Sequence, residues 1–249
     1  MVVLLTVQIA IFKNYHNSMR ASFIIAVMLL SFASSGTATQ LTFRDGVNGY
    51  TSTLDTTLRS DQPDTVFGNE TLIFGGRAGP GPSNRIFDGL IRFDDIFGSD
   101  VGMILPGTAI QSAMLQLEPN SFWNPPGTAS LYDMLVDWDE SSTWNSLNNG
   151  VTIGVETSPF ATDSAINNAS PIIFDVTSSL RHWSENPPIN LGWLLFVEPF
   201  ADQFVSSEKG FVPFRPMLSV TTVPEPSTLT LLGIGVAVLG FRGKLKSNR

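Results

Sequence analysis

Residues 191–197 read Leu-Gly-Trp-Leu-Leu-Phe-Val, an apolar run in which a single glycine is the only small residue. A run without polar residues at alternate positions is typical of a strand that is buried on both faces. We therefore predict that residues 191–197 form a central strand rather than an edge strand. Residues 85–94 also place apolar side chains at odd and even positions, and they predict a second strand covered on both sides.

The segments around these two runs predict the rest of an all-β fold. Residues 110–118 and 131–138 alternate apolar and polar side chains, as strands with one buried face do, and Trp138 falls on the apolar side of the second. Further strands are predicted at residues 51–60, 71–74, 172–176, 204–208 and 217–222, and a glycine- and proline-rich loop at 75–84. Residues 177–185 predict one short helix, capped by Thr177. The pattern favours an antiparallel β-sandwich, similar to a jelly roll, over residues 39–222.

Composition excludes several classes of function. The chain of 249 residues contains no cysteine, which rules out disulfides, thiolate metal sites and a cysteine nucleophile. His182 is the only histidine after residue 38, which argues against a zinc site. Residues 39–222 carry 8 basic and 21 acidic side chains, a net charge of −13. Nucleic acids and anionic lipids are therefore unsuitable partners for this part of the chain.

The N-terminal 38 residues have the features of a signal segment. Arg20 precedes an apolar run, and small residues at Gly36 and Ala38 suit signal peptidase, so we predict cleavage after Ala38. Met19 alone would begin a signal peptide of ordinary length, and both Met1 and Met19 remain open as the true start. We therefore expect export across the inner membrane.

The C-terminal residues 223–249 combine three features in a fixed order. The box Pro224, Glu225 and Pro226 is followed by the uncharged apolar run 227–241 and by the basic tail 242–249. As a helix the apolar run would be about 22 Å long, which is short for a membrane core of about 30 Å. The basic tail places that end in the cytoplasm and the rest of the chain outside.

This tripartite tail resembles the PEP-CTERM sorting signal of exopolysaccharide-producing Gram-negative bacteria, although its basic end contains fewer arginines than usual. The resemblance implies recognition by an exosortase, a membrane protease-transpeptidase, and removal of the tail at or near the Pro-Glu-Pro box. The alternative is a plain C-terminal membrane anchor. Both interpretations place the body outside the cytoplasm, at the cell surface or beyond it, with a membrane contact only through the C-terminal helix.

Pieces of the body resemble, in the same order, the DNRLRE-domain family of extracellular modules related to carbohydrate-binding modules. The matching pieces include Thr57-Leu58-Arg59-Ser60, Gly89-Leu90-Ile91-Arg92-Phe93-Asp94, Trp138-Asp139-Glu140-Ser141-Ser142-Thr143-Trp144 and Phe174-Asp175-Val176-Thr177. The resemblance implies a β-sandwich that binds polysaccharide or serves as an adhesive appendage.

Three tryptophans and three acids are the candidate binding residues. Trp123 lies in a predicted loop, where an aromatic face could stack on a sugar ring, and Trp138 and Trp144 flank an acidic segment. Asp137, just before Trp138, and Asp139 and Glu140 within the segment could supply the oxygen ligands that a structural calcium ion prefers. The alternative is that Trp138 and Trp144 are core or corner aromatics and that the acids cap turns.

The sequence leads to three hypotheses about function. The first is a non-enzymatic, exosortase-sorted surface or matrix protein that binds extracellular polysaccharide. The second is a polysaccharide-active hydrolase or lyase, although no pair of carboxylates can be singled out for such chemistry. The third is a structural surface protein without a ligand.

Overall fold

Eleven antiparallel strands and one α-helix form the part of the chain that the computed structural model describes, which is residues 38–79, 85–120, 126–166 and 171–223. Residues Thr39–Val223 form one compact unit. The strands are β1 (Gln40–Phe43), β2 (Thr53–Arg59), β3 (Leu72–Ala78), β4 (Arg85–Phe93), β5 (Ile110–Leu117), β6 (Gly127–Met134), β7 (Thr157–Ile166), β8 (Ile172–Asp175), β9 (Trp193–Glu198), β10 (Asp202–Val205) and β11 (Met217–Thr222). The helix α1 is Thr177–Glu185. The predicted all-β sandwich with one short helix is confirmed.

The smaller sheet has the order β1-β11-β5-β8. The alternation predicted for β5 is confirmed, because Ala113, Leu115 and Leu117 are buried and Gln116 is not. Their side chains face the second sheet and join it in one apolar core. Each residue on this face therefore contributes to holding the two layers together.

The larger sheet has seven strands, with β4 and β9 at its centre. β2 pairs with one edge of β4, while β3 and β9 share the other edge. The predicted central strand at 191–197 is confirmed as β9, in which every residue except Glu198 is buried. Gly89 allows β3 to cross close to β4, since a Cβ atom there would lie 2.8 Å from the carbonyl oxygen of Phe74.

Strand β10 joins the two sheets along one side. It pairs with β3 in the larger sheet, and Val205 N–H also donates to the carbonyl oxygen of Glu118 just after β5, at 2.8 Å. Phe204 and Ile73, which face each other across β3 and β10, are fully buried. The sandwich is thus closed by hydrogen bonds at this side.

The larger sheet is also covered on its outer face, and this explains the two-sided burial of β4. The long segment 135–156 folds over that face and buries a second, smaller apolar cluster made of Leu58, Leu90, Met134, Trp138, Leu147 and Leu194. Thus β9 sends Leu195 into the main core and Leu194 into the outer cluster.

Several predicted boundaries are wrong. Residues 75–78 belong to β3 rather than to a loop, and β6 ends at Met134, before Trp138. The strand predicted at 204–208 is β10 at Asp202–Val205, and β1 and β7 were not predicted. Local glycine content and alternation misled in these places because pairing with distant strands decided the outcome.

The start of α1 also differs from the prediction. Val176 is the N-cap residue, and its own side chain makes no capping hydrogen bond. The Thr177 hydroxyl instead accepts a hydrogen bond from Ala113 N–H at 2.9 Å, and Asp175 Oδ1 accepts one from Thr177 N–H at 3.0 Å. Thr177 therefore ties the helix to β5.

The predicted signal segment before Ala38 and the predicted membrane helix at 227–241 lie outside the described residues. Within the described ranges, no helix is long and apolar enough to cross a membrane.

Candidate functional site

Trp138, predicted to contact a ligand, is a core residue. Its side chain is 4% exposed, and its indole N–H donates to the carbonyl oxygen of Leu191 at 2.8 Å. The Arg92 guanidinium lies over the indole ring, 5.3 Å from its centroid. In contrast to that prediction, Trp138 lies where segment 135–156 turns inward over the sheet, and its ring is packed in the outer cluster.

Asp137 belongs to the ion pairs around Arg92. One Asp137 oxygen lies 2.8 Å from Arg92 Nη1, and an Asp94 oxygen lies 2.8 Å from Arg92 Nε. Burial raises the pKa of Asp94, with Arg92 acting in the opposite direction. These groups border a cavity of about 490 Å³. The buried Arg92 guanidinium is the cation that pairs with Asp94 and Asp137 in this cavity.

Asp139 and Glu140 point to other partners. Asp139 Oδ1 accepts hydrogen bonds from the backbone N–H of Ser141 at 2.8 Å and from its hydroxyl at 2.6 Å, and these bonds lower the pKa of Asp139. Glu140 is half-buried, and its pKa is raised by burial and then by the nearby charge of Glu208. Among the described residues no three acidic or histidine side chains converge to hold a metal ion. The structure therefore does not bring Asp137, Asp139 and Glu140 together as a calcium site.

Trp144 lies at the rim of an open cleft on the outer face of the larger sheet. It is half-buried against the outer cluster, and its ring lies against Gly150. Gly150 has a φ of +94°, and a Cβ atom at this position would overlap the indole. The turn at Gly150 thus restricts the Trp144 ring, which lines the cleft.

The cleft has a volume of about 410 Å³. Its floor is the outer face of β4, β9 and β6, where Ser130 is paired with Phe196 and Tyr132 with Leu194. Its wall is segment 149–153, with Trp144 beside it. The cleft is therefore lined by aromatic rings and by polar groups in similar measure. Its lining includes the side chains of Arg77, Asp88, Ser130, Tyr132, Phe196 and Glu198.

Asp88 is the carboxyl group on the floor of this cleft. It is 2% exposed, and one of its oxygens accepts a hydrogen bond from Val151 N–H in the wall at 2.8 Å. Burial raises the pKa of Asp88 to about 7, although the bond from Val151 and the charge of Arg77 act to lower it. Asp88 thus changes its charge near neutral pH and links the wall to the sheet.

The other charged groups of the cleft are Arg77 and Glu198, both exposed. The Arg77 guanidinium lies over the Phe196 ring, 5.6 Å from its centroid. Glu156 supports the wall from beneath, because its carboxylate accepts a hydrogen bond from Thr152 N–H at 2.9 Å. The lining of the cleft therefore combines charged and aromatic side chains.

Trp144 is the only residue of this cleft that the sequence singles out as a candidate. Asp88 could have been noticed, since it is the only charged residue between Ile86 and Ile91 in a strand predicted to be buried on both faces. Arg77 and Phe196 carried no comparable signal, because nothing local shows that β3 and β9 are neighbours.

The remaining predicted sites lie at or beyond the limits of the described chain. Ala38, the predicted cleavage site, is exposed, and one residue separates it from the start of β1. Trp123 and the Pro224, Glu225 and Pro226 box lie outside the described residues.

Comparison with known proteins supports the interpretation of the C-terminus. No curated protein matches the chain. Residues 222–244 match the PEP-CTERM protein-sorting motif, which supports an exported exosortase substrate, with transient membrane anchoring through its C-terminal segment.

Proposed function

We propose that this protein is a non-enzymatic surface or matrix protein that binds extracellular polysaccharide through the Trp144 cleft. Signal peptidase and exosortase are its partners during export, and the sandwich is the part that remains outside. The resemblance of the body to DNRLRE-domain modules agrees with this role. The net charge of −13 over residues 39–222 is unfavourable for binding nucleic acid.

One observation carries the proposal: the cleft places the ring of Trp144 beside Tyr132, Phe196 and several hydrogen-bonding groups. A sugar ring has an apolar face and a polar rim. An aromatic side chain covers the first, and carboxylate, hydroxyl or guanidinium groups satisfy the second. A purely structural surface protein would not need this combination at an open site.

Affinity electrophoresis in gels that contain soluble polysaccharides tests the proposal. We expect the exported chain to be retarded by at least one polymer, and Trp144→Ala to lose that retardation because the stacking surface is removed. Phe160→Ala is the matched control, since Phe160 is 82% exposed and does not line the cleft. Retention by neither the parent chain nor the control would refute polysaccharide binding.

The same polymers distinguish binding from catalysis. We expect no new reducing ends after prolonged incubation, because the cleft serves as a binding surface in this proposal. Release of reducing ends that requires Asp88 or Glu198 would favour the hydrolase hypothesis, and release of unsaturated ends would favour a lyase.

A further inference from the structure

The charged groups of the cleft indicate which class of sugar it takes, if the proposed function holds. Two carboxyl groups, Asp88 and Glu198, and one cation, Arg77, line it. The surrounding residues 39–222 carry a net charge of −13. A polymer of uronic acids would meet repulsion both at long range and inside the cleft, whereas an uncharged sugar would not.

A carboxylic acid is an unusual side chain at the buried position of Asp88. Its contact with the wall is one accepted hydrogen bond, from Val151 N–H, and an asparagine oxygen could accept the same bond without a charge. Burial makes the ionised form of Asp88 unfavourable. Buried groups that are costly for the fold and border a cleft are frequently functional.

A carboxylate offers something that an amide cannot offer. One Asp88 oxygen accepts the Val151 N–H and the second remains an acceptor, whereas the single oxygen of an asparagine would already be bonded to Val151. A sugar hydroxyl is a donor that this second oxygen can accept. The aromatic rings of Trp144 and Tyr132 flank the same space, so a sugar could stack on a ring while its hydroxyls reach the floor.

We propose that the cleft binds a neutral sugar residue, and that Asp88 determines this specificity by accepting a hydrogen bond from a hydroxyl of that sugar through the oxygen that is not bonded to Val151. The titratable and charged groups that line the cleft together with Asp88 are Arg77, Tyr132 and Glu198. Because the Asp88 oxygen that is not bonded to Val151 accepts a hydrogen bond only when the carboxyl is ionised, binding strengthens as the pH rises through neutrality.

The test compares neutral polymers (dextran, mannan and galactan) with uronate polymers (alginate and polygalacturonate) in affinity gels, using the exported chain purified in mild detergent. We expect retention by a neutral polymer and a loss of about tenfold in affinity for Asp88→Asn, as for a hydrogen bond to a charged group. The parent chain should bind more weakly at pH 5.5 than at pH 8.5, by a factor that Asp88→Asn removes.

The outcomes separate the two proposals. Retention by uronate polymers alone, abolished in Trp144→Ala, would overturn the neutral-sugar inference and leave the proposed function intact. Unchanged affinity of Asp88→Asn for a neutral polymer would overturn the role of Asp88. Retention by no polymer would overturn both the inference and the proposed function.

Discussion

The two faces of strand β9 differ in what covers them. Trp193, Leu195 and Val197 face the smaller sheet, and all three are buried in the main core. On the opposite face Leu194 is buried under segment 135–156, Phe196 borders the cleft, and Glu198 is exposed. Because side chains alternate between the two faces of a strand, one face of β9 is apolar throughout and packs in the main core. The other face is apolar under segment 135–156 and becomes polar where that segment no longer covers it.

The largest expected effect comes from weakening the inner face. Leu195→Ala should lower the free energy of unfolding by about 2–5 kcal/mol, because it leaves a cavity between two sheets that cannot easily collapse. The matched variant Leu194→Ala removes an equally buried side chain under a single loop segment, and we expect a smaller loss. Urea unfolding followed by tryptophan fluorescence measures both, and equal losses would contradict the proposed difference between the faces.

Asp88 should make stability depend on pH from the outer face. Its pKa rises from 3.8 in the unfolded chain to about 7 in the folded one, so the folded state binds more protons between these values. The free energy of unfolding should therefore fall as pH rises from about 4 to about 7 and stay level above that. At about 1.4 kcal/mol per pKa unit, the upper limit is on the order of 4 kcal/mol.

Asp88→Asn should remove this part of the slope and stabilise the protein at pH 8, while it weakens glycan binding. Urea unfolding at pH 4 and pH 8 measures the difference. A variant that is less stable than the parent at pH 8 would show that the carboxylate itself holds the wall.

The variant Gly150→Ala tests whether polysaccharide binding depends on the position of the Trp144 ring at the rim of the cleft. Gly150→Ala should cost about 1–3 kcal/mol for a side chain at positive φ and should displace Trp144, with loss of polysaccharide retention. Gly154→Ala is the matched control, because Gly154 has a φ of +82° but only Pro159 nearby, at 3.7 Å. We expect the control to lose stability and to keep its retention in affinity gels. Equal loss of retention in both variants would contradict the specific role of Trp144.

The sequence predicted the layers of the fold better than the site. The apolar run at 191–197 and the alternation in β5 depend on burial that is continuous along the strand, so periodicity reveals them. Trp138 and Trp144 stand six residues apart in one polar segment, and nothing local shows that only the first is enclosed. That outcome depends on Arg92 and Leu191, which are distant in sequence.

The smallest expected effect concerns Asp139, and it tests whether this carboxylate stabilises a turn or binds a metal ion. Its exposed carboxylate is held by Ser141, and Asp139→Ala should cost no more than about 1 kcal/mol, as for the loss of a side-chain cap. Because the pKa of Asp139 is lowered, its contribution to the free energy of unfolding is present above the unfolded pKa and is lost as pH falls through the folded value.

Millimolar calcium should not shift the urea midpoint of the parent chain, since Asp137 and Glu140 have other partners. A calcium-dependent shift that disappears in Asp139→Ala would restore the calcium hypothesis for this segment.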